Sequence, residues 1–196
     1  MKKTFYALML CLALLAPVAA QAFDTPLKDP KGVKVLEKLG IFFKPVADQF
    51  GCTDFAWGNV ANAGKLATLE YVPPGHKVEQ WTKLVTVTVY SLEGDPVQDK
   101  ALMSAMVTAL TKTFEANGKV ISHSLYRNKA EEMSAYYEYE TGLGGAKEHN
   151  AGVFMRVTPT LAAFMQVQAR GGALAADDLL TIHKMVDPRA NHPKKP

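Results

Sequence analysis

Cysteine is nearly absent: the 196 residues contain two, Cys11 and Cys52. Cys11 falls inside an N-terminal export signal, so the processed chain would hold Cys52 alone. A lone thiol excludes an intramolecular disulfide. Between Phe50 and Phe55 it reads as a buried, inert side chain, with an intermolecular disulfide or a reactive thiol as the alternatives. Closely spaced metal ligands are also missing. His76, His123, His149, His183 and His192 form no H-x-x-x-H pair, so no zinc site is expected, and no cofactor. G-x-S-x-G, G-x-x-x-x-G-K-[ST] and G-x-G-x-x-G do not occur, and Gly142-Leu143-Gly144-Gly145 lacks the strand–helix context of a phosphate cradle. Excess charge is small: the formal net charge is +3, and Lys2 and Lys3 supply two of those charges. The rest of the chain, near +1, offers nothing to a nucleic acid. Beyond the N-terminus no apolar run is long enough for a membrane span of about 20 residues. Hydrophobic residues at 48% and charged residues at 21% exclude a disordered chain.

The N-terminus has three parts. Met1-Lys2-Lys3 is positive, Phe5 to Val18 is apolar, and Ala20-Gln21-Ala22 puts small residues at a cleavage site. This is the pattern of a secretory signal over residues 1–22, cleaved after Ala22 to leave Phe23 first. It implies a periplasmic or secreted protein. Lipidation needs a Cys at the cleavage point, and Cys11 is misplaced for it.

Proline and glycine punctuate residues 23–64, which read as irregular apart from a short helix at Val33 to Leu39. From Lys65 the pattern sharpens. Leu66 to Val72 reads as a strand stopped by Pro73-Pro74-Gly75. Thr82 to Ser91 alternates, with Val85, Val87 and Val89 on one face and Thr86, Thr88 and Tyr90 on the other. Asp95 as N-cap and Pro96 at the first helical position open a helix that Asn117-Gly118 ends. Its predicted apolar stripe is Val97, Ala101, Leu102, Ala105, Met106, Ala109, Leu110 and Phe114. Four strands follow at 119–126, 133–140, 152–158 and 161–169, and then a helix beginning near Asp177-Asp178. Short links between consecutive strands predict an α+β fold, a largely antiparallel sheet covered by two helices over residues 65–187. Residues 188–196 read as a basic tail.

Few residues are candidates for chemistry. Glu148-His149 is the most tempting local pair, placed by pattern in a loop. Glu138 and Glu140 share a strand face, as a charged surface or an acid–base pair. His183 lies on the inner side of the last helix and reads as a core histidine. The aromatics offer more: Trp81, Tyr90, Tyr137 and Tyr139 would line a sheet face, and such side chains suit recognition surfaces as well as cores.

Tyr71-Val72-Pro73-Pro74-Gly75, followed by Glu79-Gln80-Trp81-Thr82 and the Val/Thr strand, is similar to exported bacterial proteins of the PsbP-like fold. The resemblance spans roughly residues 65–187. It implies an α/β/α sandwich in an accessory, non-catalytic role, and it supplies no catalytic residue. Three functions are therefore weighed. The first is a non-enzymatic interaction factor for another exported or envelope protein, with the aromatic face or the 23–64 arm as contact. The second is a carrier of a small apolar ligand between sheet and helix. The third is an enzyme using Glu148-His149 or Cys52.

Overall fold

Alternation in Lys83–Ser91 sets the layering. Val85, Val87 and Val89 are 1%, 0% and 3% exposed on one face, while Thr86, Thr88 and Tyr90 occupy the other. A strand buried on both faces must lie inside a sheet with a layer on each side. The computed structural model describes residues 30–62, 65–127, 132–142 and 146–190. The predicted export signal and most of the basic tail lie outside the described residues. In chain order the elements are helix α1 (Pro30–Asp48), strands β1 (Asp54–Ala61) and β2 (Leu66–Val72), a 3-10 turn (Val78–Gln80), β3 (Lys83–Ser91), α2 (Pro96–Asn117), β4 (Gly118–Arg127), β5 (Met133–Thr141), β6 (Glu148–Thr158), β7 (Leu161–Arg170) and α3 (Ala176–Lys184).

The strands make one seven-stranded sheet ordered β1-β2-β3-β7-β6-β5-β4, with every neighbouring pair antiparallel. The expected α+β class is therefore what the chain adopts. Two meanders, β1–β3 and β4–β7, meet at the β3–β7 pair. The link from β3 to the far edge strand β4 carries α2 across one face. Met103, Met106, Val107, Leu110 and Phe114 of α2 pack there on Tyr90, Tyr137, Tyr139, Phe154 and Phe164. On the opposite face, Phe43 and Ala47 of α1 and Leu179 and Ile182 of α3 cover the three valines, Met165 and Val167.

Asp95 caps α2 as expected, accepting from the Val97 and Gln98 amides at 2.9 and 3.0 Å, with Pro96 following it. The predicted stripe on this helix needs correction. Val97 is 78% exposed and Ala101 is also exposed, whereas Met103 and Val107 are buried. The stripe that packs runs 103, 106/107, 110 and 114, which keeps steps of three and four.

Residues 23–64 were expected to be irregular apart from a short helix at Val33 to Leu39, with two helices on the sheet. Instead this stretch holds the 19-residue α1 and the edge strand β1, so three helices cover the sheet. Proline and glycine hide α1 without preventing it. Pro30 stands first, where a helix misses no amide donor. Pro45, which has no N–H to offer the Ile41 carbonyl, is exposed, as is Ile41. In β1, the register shift between Phe55 and Trp57 and the edge position erase a period of two.

Candidate functional site

All four nominated aromatics lie indoors. Tyr137 is 1% exposed; its hydroxyl donates to the Val107 carbonyl at 3.0 Å and sits 3.1 Å from the Thr111 hydroxyl. Tyr139 is 6% exposed, stacks on Phe114 at 4.1 Å and donates to Gln166 Oε1 at 2.8 Å. Tyr90 lies edge-on to Phe154 under α2. Trp81 belongs to a separate cluster with Val72 and Leu84, and the Arg170 guanidinium lies 4.1 Å above its ring. The three tyrosines hold the sheet to α2, Trp81 packs in its own cluster, and the four form no open contact face. Aromatic content alone could not separate the two roles.

The groups nominated for chemistry are committed elsewhere. Glu148 and His149 lie in β6, not in a loop, and as strand neighbours they point to opposite faces. Glu148 binds Arg170 at 3.0 Å. His149 Nδ1 accepts the Leu174 amide at 3.0 Å, so Nε2 carries the hydrogen and donates to Glu138 Oε1 at 3.0 Å. With both nitrogens engaged, His149 ties β6 to the segment before α3 and has no lone pair for a substrate. Glu140 binds Lys147. His183 stacks on Tyr136 at 4.1 Å and hydrogen-bonds the Tyr126 hydroxyl, and burial holds its imidazole below the ordinary range. Cys52 is fully buried, which pushes its thiol up to about 11. A thiol so held is a poor nucleophile. No cluster of metal-binding side chains occurs among the described residues.

Among the described residues Glu70 is the one carboxyl that burial pushes strongly up. It lies on β2 opposite Trp57 and Thr86, and burial pushes it up to about 7 from an ordinary 4.5. Between those values the folded chain keeps a proton that the unfolded chain has released, so Glu70 lowers stability as pH rises through the window. We expect Glu70→Gln to raise the free energy of urea unfolding at pH 8, by about 1–2 kcal/mol after allowing for solvent, and to leave it unchanged at pH 4. A variant no more stable than the parent at pH 8 would show that Glu70 ionises freely.

What the sequence pattern did not locate is an open apolar groove between α1 and the β1–β2 edge. Its volume is about 400 Å³, and Val33, Leu36, Gly40, Ile41, Phe55 and Tyr71 line it, with Lys44, Glu37 and Thr53 at the rim. Tyr71 fixes the floor: its hydroxyl donates to the Gly40 carbonyl at 3.0 Å, and Phe55 meets its ring edge-on at 5.7 Å. Gly58 lets the helix come low, since a Cβ there would stand 3.1 Å from Leu36 Cδ2 and 2.9 Å from Phe55 Cζ. Around the groove Val33, Ile41 and Phe55 are 37%, 78% and 52% exposed. They are three of the seven large apolar side chains left exposed among the described residues. A cluster of this kind marks a contact surface, where single exposed residues would not. The readable signal was Ile41, an apolar residue outside the Leu36–Phe43–Ala47 stripe of α1.

No family model and no curated protein matches this chain. Among solved structures it is similar to the solution structure of cyanobacterial PsbP (CyanoP) from Synechocystis sp. PCC 6803. Identity is 8% and the TM-score 0.30, with 67% of this chain and 86% of that chain covered. So weak a likeness, at the level of the fold, carries no activity or partner across. No helix among the described residues is long and apolar enough to cross a membrane.

Proposed function

We propose that the protein is an exported, non-enzymatic accessory factor that works by binding, with the α1–β1 groove as its contact site. The carrying observation is the groove itself, apolar within and bordered by exposed Val33, Ile41 and Phe55. The engaged state of His149 and the inert state of Cys52 turn the reading away from catalysis. The export pattern of residues 1–22 turns it toward the envelope. A groove of about 400 Å³ also falls in the small-molecule range, which favours a carrier as the second reading. That pocket lies beside α1; on the α2 side, where the apolar helix stripe suggested it, Met103, Met106, Val107, Leu110 and Phe114 pack on the sheet aromatics.

Nile red, a neutral apolar dye, tests the site. The folded protein should enhance its emission, and the Ile41→Ser, Phe55→Ser double variant should lose most of that signal. Both side chains are largely exposed, so the thermal transition of the variant should stay within a few degrees of the parent. Equal dye binding by parent and variant would remove the groove from the account. A discrete small mass retained by the protein from its own envelope would move the reading to the carrier.

A further inference from the structure

The sheet face that carries α2 also holds a polar floor. Helix α2 lies over β4 and β5. On β2, β3 and β7 the apolar cluster under it ends at Leu66, Tyr90 and Phe164, and a separate cluster of Val72, Trp81 and Leu84 stands at the far end. Between the two, the register sets Thr68 and Glu70 of β2 against Thr88 and Thr86 of β3, and Thr86 against Gln166 of β7, with Gln168 next along that side of β7. Partly buried Trp57 stands against Glu70 from β1. Thr86 donates to Gln168 Oε1 at 2.9 Å and Tyr139 to Gln166 Oε1 at 2.8 Å, so each glutamine keeps its Nε2 donors. The hydroxyls of Thr68 and Thr88 and the carboxyl of Glu70 have no partner among the described residues and still touch solvent. Asn150, 1% exposed and paired with Gln168, leaves Oδ1 unpartnered beside them. Folded chains satisfy most groups of this kind, so the floor holds hydrogen-bonding capacity that an outside molecule can use.

The chemistry of the floor narrows the ligand. Of its groups only Glu70 ionises, and burial pushes that carboxyl up to about 7, so in weak acid it too is a neutral donor and acceptor. No basic side chain stands among them to hold an anion. Strands β2, β3 and β7 each have a strand on both sides, so their backbone is spent in the sheet and an extended peptide cannot add to it. Side chains alone are left, and they suit a molecule dense in groups that both donate and accept. We propose that this floor is a second binding site, separate from the α1–β1 groove, and that it takes a neutral saccharide. Ring hydroxyls meet Thr68, Glu70, Thr88 and the two glutamine amides, and Trp57 flanks the apolar edge of the sugar.

Isothermal titration with three uncharged oligosaccharides, maltotetraose, cellotetraose and chitotetraose, tests this. At least one should bind one to one. Thr68→Val with Thr88→Val removes two hydroxyls that bond nothing else in the described chain. The thermal transition of that variant should stay near the parent's while its affinity falls about ten-fold. The groove variant, Ile41→Ser with Phe55→Ser, should titrate like the parent. Loss of sugar binding in the groove variant would place the ligand in the groove and overturn the second site. Binding of none of the three, or full binding by the threonine variant, would overturn the proposal and leave the groove untouched. A blocked tetra-alanine peptide that binds through the same threonines, with no saccharide bound, would overturn it in favour of a peptide.

Discussion

Tyr137→Ala should unfold the protein at much lower denaturant, with a loss of about 3–5 kcal/mol. The residue is 1% exposed in the middle of the layer between the sheet and α2. Its ring meets Phe114 at 5.0 Å and His123 at 4.9 Å, and its hydroxyl binds α2 through the Val107 carbonyl and the Thr111 hydroxyl. Truncation would open a ring-sized cavity and leave those α2 groups without this partner. A surface tyrosine would behave differently, with altered partner capture and unchanged folding, which is what a contact-face role requires. Tyr137→Phe separates the components. It keeps the ring and should lose only about 1 kcal/mol from the hydroxyl bonds. Urea unfolding of the two variants beside the parent measures both, and a loss under 1 kcal/mol for Tyr137→Ala would contradict the packing described.

The second large effect is expected at Asp99, in the first turn of α2. It is 1% exposed; Oδ1 accepts the Glu93 amide at 3.0 Å and Oδ2 faces Arg156 at 3.4 Å. Arg156 reaches from β6, where it also binds Glu132 at 2.8 Å and the Pro159 carbonyl at 2.7 Å. The carboxylate thus joins the entry to α2, the β6–β7 hairpin and the start of β5. Asp99→Ala leaves a largely buried guanidinium short of one counter-charge and a loop amide without its acceptor. Breaking such a pair destabilises by about 3–5 kcal/mol, and the remaining Glu132 contact places this case near 3. Asp99→Asn keeps an acceptor for the Glu93 amide and should lose less. Denaturation curves in which both variants match the parent would mean that the pair is solvated.

Legibility followed how much of an element's reason was local. Val85 to Val89 could be read because a strand buried on both faces still shows two kinds of residue at period two. The α2 start was readable because Asp95-Pro96 acts within one turn. Helix α1 was readable only at Val33 to Leu39, since its Pro30 and Pro45 look like breakers until one sees that one begins the helix and the other faces water. The start of β6 was missed because Glu148, His149 and Asn150 are polar, and only their partners Arg170, Glu138 and Leu174 make them strand residues. The groove depends on α1 lying beside Gly58 and Tyr71, residues distant in sequence. Tyr137 and Tyr139 were visible as candidates, but their side of the sheet was open or closed according to where α2 landed.

The most direct measurement is site-specific photo-crosslinking in living cells, with the reactive residue placed at Phe55 in the groove or at Val97 on the opposite layer. Both positions are more than half exposed, so exposure alone does not separate them. The account predicts a discrete, reproducible adduct from Phe55, lipid or protein in nature, and none above background from Val97. Equal labelling at the two positions, or none at Phe55, would contradict the claim that the α1–β1 groove is where this protein binds.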